Sequence, residues 1–251
     1  MLGFSRKLPI SEDDRRWVDQ GFVRLENLLE KSRLLETKVI LPNDEYFPDR
    51  YDASPEAAEK LFRRICGHMA VSPSRIQLRF FIDAIDELRE AVPFWSGNSG
   101  GCAGLFRAST SNEGGIVIEL RESLLREPSK LIATIAHELG HVILLGGGLM
   151  TADTADHEPM TDLLTVFLGL GIFTANAAFH FQQYQGAGRH GWSMDRLGYL
   201  RQEVYGYALA RFAHTRGEYK PAWSQHLSTN VRSYFRSSAK WLAKNFDRKG
   251  A

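Results

Sequence analysis

Pro128-Ser129-Lys130-Leu131-Ile132-Ala133-Thr134-Ile135-Ala136-His137-Glu138-Leu139-Gly140-His141 is the stretch on which the rest of the chain is organised. Proline suits the first position of a helix, where no amide hydrogen bond is lost. Leu131, Ile132, Ile135, Ala136, Leu139, Val142 and Ile143 then recur at helical spacing. Gly146-Gly147-Gly148 supplies a stop, because glycine takes the left-handed cap and holds a helix poorly. His137 and His141 lie four residues apart, so they project from the same face one turn apart. Both can give a ring nitrogen to one metal ion at about 2.0–2.1 Å. Glu138, rotated about 100° around the helix, is placed to reach a water beside that metal rather than the metal itself.

A catalytic zinc takes three protein ligands and keeps one position for water. Asp153, Asp156, His157, Glu158 and Asp162 follow His141 closely enough to supply the third. Glu158 and Asp162 are four apart and precede the apolar run Leu163, Leu164, Val166, Phe167, Leu168. That spacing puts both carboxylates on one face of the first turn of a buried helix. Acids are also favoured at any helix N-terminus, which is the simpler account of one of them alone.

Together, His137-Glu138-x-x-His141 and Glu158-x-x-x-Asp162 resemble the gluzincin pattern of thermolysin-like and minimal-gluzincin zinc metallopeptidases, a branch of the zincins. The resemblance implies His137, His141 and Glu158 as zinc ligands and Glu138 as general base. It implies that Asp162 hydrogen-bonds a ligating histidine and so orients it. It also implies that the strand Gly115 to Leu120 is an edge strand holding an extended peptide substrate. The 16 residues between His141 and Glu158 are slightly fewer than in thermolysin-like enzymes, which leaves Asp162 or Asp156 open as the third ligand. In gluzincins a later Tyr or His stabilises the oxyanion. Tyr199, Tyr205, Tyr207, His180, His190 and His214 are available here, and Tyr207, among small residues in mid-helix, is the preferred one. The alternative for any single tyrosine is a core ring with its hydroxyl satisfied. Gly198-Tyr199-Leu200 and Tyr205-Gly206-Tyr207-Ala208-Leu209 resemble a bacterial protein family without an assigned activity.

Outward from the metal helix, the reading is coarser. Ser11 precedes an amphipathic opening helix carrying Trp17, Val18, Gly21, Phe22, Leu25, Leu28 and Leu29. Lys38 to Leu41 reads as a short strand stopped by Pro42. Ser54-Pro55 starts a helix with Leu61, Phe62, Ile65 and Met69 on its apolar face. Ile76, Leu78, Phe80 and Ile82 alternate with Gln77, Arg79, Phe81 and Asp83, the period of a half-buried strand. Residues 96–104 should turn, and Ile116 to Leu120 is a strand. The expectation is α+β and zincin-like: a small mixed sheet packed on the active-site helix, and a mostly helical C-terminal half. It is read as a single domain over 1–251, with a mixed helix/strand part to residue 125 and a helical part from 126.

The chain has 251 residues, 43% of them hydrophobic and 24% charged, enough to bury a core without disulfides. Two cysteines, Cys66 and Cys102, form no framework and read as structural thiols. With 31 basic against 30 acidic side chains and a net charge of +1, nothing pulls it electrostatically to nucleic acid. Leu163 to Phe181 reaches the length of a membrane span, but Thr165, Gly169, Gly171, Thr174 and Asn176 favour a buried core helix. The N-terminus has no secretory signal pattern, and a cytoplasmic location is the expectation. The implied cofactor is Zn2+ and the implied partner a peptide or protein substrate. The competing reading is a zincin-like zinc-binding module with a regulatory or partner-binding role.

Overall fold

The computed structural model describes residues 8–82, 104–108, 115–151, 153–183 and 200–246, with the side chains of 104–108, 179–183 and 246 left out of the description. The described residues are mostly helical, with one small sheet among them. Its contacts gather into two compact units, one of residues 40–157 and 180–190, the other of 1–39, 158–179 and 191–251.

The first of these holds the sheet and the histidine helix. Helix α3 (Pro55–Met69) opens as expected, with the Ser54 hydroxyl accepting from the Ala57 amide at 3.1 Å. Cys66 on α3 is completely buried, and burial pushes its thiol up to about 12, so it is inert at neutral pH. Strands β1 (Ile76–Phe81), β2 (Gly104–Ala108) and β3 (Ile116–Arg121) form a mixed sheet in the order β1-β3-β2. β1 runs parallel to β3, with Ile76 opposite Ile116. β2 runs antiparallel to it, with Phe106 opposite Ile118. The strand before the metal helix is therefore the central strand and not the expected edge strand. Side-chain alternation reports which face a residue takes, not which strands flank it, so sequence could not place β3 in the order. Ile118 and Leu120 are wholly buried beneath it.

Helix α4 (Pro128–His141) packs against α3 and β2. Every residue from Leu131 to His141 is buried, including the two histidines and Glu138. At His141 the α-helix gives way to a π-helical turn, Val142–Gly146, a wider winding that recurs at functional sites. The glycine stop follows, with Gly148 at φ +67°.

The second unit is built from helices. In α1 (Glu12–Leu29) the Ser11 hydroxyl caps the Asp14 amide at 3.0 Å, and α2 (Lys31–Glu36) follows a break at Glu30. The expected strand Lys38 to Leu41 does not form. Among the described residues it pairs with no strand. Just upstream, the carbonyls of Leu34, Leu35 and Thr37 are taken by the Arg216 guanidinium at 2.7, 3.0 and 2.7 Å.

Helix α5 (His157–Phe167) ends at a tight cap, and α6 (Gly171–Gln183) begins after it. The apolar run 163–181 is therefore two helices, not one core helix. No described helix is long and apolar enough to cross a membrane. The break is Gly169, at φ +84°, where the Leu170 amide returns to the Thr165 carbonyl at 2.9 Å. A Cβ at Gly169 would lie 2.1 Å from the Lys38 carbonyl oxygen. Gly169→Ala is thus expected to cost more than about 2 kcal/mol and lower the melting temperature by roughly 5 °C or more, read by thermal denaturation.

Gly21 on α1 lets α5 come close: a Cβ there would meet Leu163 at 2.4 Å. Helices α7 (Gln202–Thr215) and α8 (Thr229–Phe246) pair along their length, with Gly206 against Tyr234 and the Phe235 amide. Of the C-terminal aromatics, Trp223 is buried against Phe235, with ring centres 5.2 Å apart, whereas Trp192 lies outside the described residues.

Candidate metal centre

His137 and His141 project from the last turn of α4, and their ring centres are 4.8 Å apart at 88°. They are 5% and 6% exposed, and Glu138 between them is 3% exposed, so the site lies in protein and not on a solvated helix face. A carboxylate or imidazole this deep needs a partner for its polar atoms. Ligand atoms of His137, His141 and Glu158 all lie within 4.8 Å of one another, a group that could hold a metal ion.

The donor set fits a divalent ion of the zinc type, since two imidazoles and a carboxylate are borderline donors that zinc accepts. Donors on one tetrahedral ion stand roughly 3.3 Å apart, given bonds of about 2.0–2.1 Å, and small side-chain rotations span the difference. Glu158 sits in the first turn of α5 and is half-buried. The two alternatives for a third ligand, Asp156 and Asp162, are not members of the group.

Asp162 is one turn further along α5 and 3% exposed. Its Oδ2 accepts from the Leu200 amide at 2.8 Å, which anchors the chain leading into α7. Sequence spacing placed this carboxylate on the correct helix, but a contact made 38 residues away left no trace in the local pattern.

Tyr207 is wholly buried in α7. Its hydroxyl donates to Asp19 Oδ1 at 2.9 Å, and Arg15 takes the other carboxylate oxygen at 2.6 Å. Burial, and then the Asp19 charge, push the phenol well above its usual range. This is the arrangement of the alternative weighed above, a core ring with a satisfied hydroxyl. Tyr205 is buried beside it and His214 is in the last turn of α7. Tyr199 and His190 lie outside the described residues, as does the His180 side chain.

His157, the first residue of α5, was one of the five sequence candidates for the third ligand and is not a member of the group. Its ring centre is 5.8 Å from that of His141.

No protein-family model, curated protein or solved structure matches this chain.

Proposed function

We propose that the chain is a zinc-dependent metallopeptidase of gluzincin type, with His137, His141 and Glu158 as the ligands. The observation that carries the reading is the convergence of two imidazoles and a carboxylate from the ends of two helices, with a buried glutamate adjacent to the first histidine. Zinc bound there would polarise a scissile carbonyl and acidify a water. Glu138 takes the water's proton and passes it to the leaving amine. Asp162 serves the site as an orienting carboxylate at the head of α5, buried on the same helix as Glu158.

An extended substrate needs a free strand edge to add to. Among the described residues, β2 pairs on one side only, with β3, and it packs on α4. β2 therefore takes the role that the resemblance assigned to the strand after Gly115.

The test is cleavage of an unfolded protein by the purified chain. Cleavage should cease on chelation and return with about one equivalent of zinc. Cleavage that persists in the chelated protein would remove the metal from the reaction. Stoichiometric zinc without cleavage of any unfolded substrate would favour the zinc-binding module instead.

A further inference from the structure

His157 stands at the entrance to α5 with one ring nitrogen engaged. Its Nδ1 lies 3.0 Å from the Thr154 carbonyl oxygen, and its own backbone amide donates to the same oxygen at 3.0 Å. A carbonyl oxygen can only accept. Nδ1 therefore carries the hydrogen, which makes Nε2 the nitrogen that can ligate a metal. An imidazole held through Nδ1–H on a backbone carbonyl is the way metal-ligating histidines are oriented and made more basic.

His157 is not among the ligand atoms that already lie within 4.8 Å of one another, but its ring stands next to that of His141. Imidazoles that share one zinc, each nitrogen about 2.0–2.1 Å from the ion, have ring centres roughly 5 Å apart. His137 and His141 are separated by 4.8 Å, and His141 and His157 by 5.8 Å. The second pair needs to close by about 1 Å, which a rotation of a half-buried side chain at a helix start supplies. All three histidines belong to the same compact unit.

We propose that His157 is an additional metal ligand, through Nε2, occupying in the resting protein the coordination position that hydrolysis leaves to water. The inference rests on the metal-site reading of His137, His141 and Glu158. Three imidazoles and one carboxylate fill a tetrahedral set, the condition of a closed site. Water then gains the fourth position only when the His157 ring swings away. The ring is held at Thr154 by the two bonds to that residue's carbonyl, and these are the contacts its swing would break or turn about. Substrate arriving at the site would compete with His157 for the ion, so His157 acts as a brake on idle turnover.

X-ray absorption at the zinc edge of the full chain decides the matter, because it counts imidazoles on the ion without any activity. Three imidazoles are expected in the wild type and two in His157→Ala, each at about one equivalent of zinc. Competition with a chelator should show zinc held tenfold or more less tightly in the variant, at least the loss seen when an outer partner of a ligand is removed. Two imidazoles in the wild type, with zinc at one equivalent, would overturn the role of His157 and leave the three-ligand site standing. Absence of zinc from the wild type would overturn both. The wild-type count stands whether or not the variant folds.

Discussion

His141→Ala is expected to leave the protein folded and strip it of zinc, from about one equivalent to less than a tenth. The expectation follows from the position of that ring. His141 is the imidazole that both His137 and His157 approach, at 4.8 and 5.8 Å between ring centres, and a site that loses it holds the ion far less tightly. His141 also closes the last α-helical turn before the π-helical segment, so its substitution removes a ring from the 4.8 Å pair and leaves α4 itself formed. Alanine is the best helix former, and the adjoining positions Leu139 and Leu144 stay in the core. Metal analysis of the purified variant, beside its far-ultraviolet circular dichroism, checks this. Full retention of zinc by a folded His141→Ala protein would dismiss the site.

Glu138→Gln is the second large effect, and it separates metal from chemistry. The substitution preserves shape and removes the ability to take a proton. Zinc content should stay at about one equivalent, while cleavage of an unfolded protein falls about a hundredfold or more, the usual worth of a positioned general base. Glu138 is 3% exposed, so glutamine must satisfy its amide in the same enclosed place. The variant's melting curve therefore belongs with the assay. Unchanged cleavage would exclude Glu138 as the base. Loss of zinc along with cleavage would show that Glu138 supports the ligands and not the reaction.

Much of the α4 site was legible beforehand because it is local. Four-residue spacing on a helix is enough to put His137 and His141 on one face, and the proline start and glycine stop bracket that helix from either side. Glu158 was legible as a candidate for the same reason, as an acid in the first turn of a following apolar helix. Its choice over Asp156 and Asp162 was not. Which of three nearby carboxylates converges on the histidines depends on the path of the intervening turn, including the π-helical segment, which no periodicity announces.

The sequence by itself determined what its short-range grammar can carry: the histidine pair, the capped starts of α1 and α3, the half-buried alternation of β1 and the apolar character of β3. Tertiary structure alone decided the rest. It put β3 between two partners, because strand order is a matter of long-range pairing and not of side-chain alternation. It broke the run 163–181 at Gly169, where the Lys38 carbonyl leaves no room for a side chain. It gave the Tyr207 hydroxyl to Asp19, a residue 188 positions away. And it brought His157 beside His141, turning one of five candidates for a third ligand into the residue on which control of the metal centre is proposed to depend.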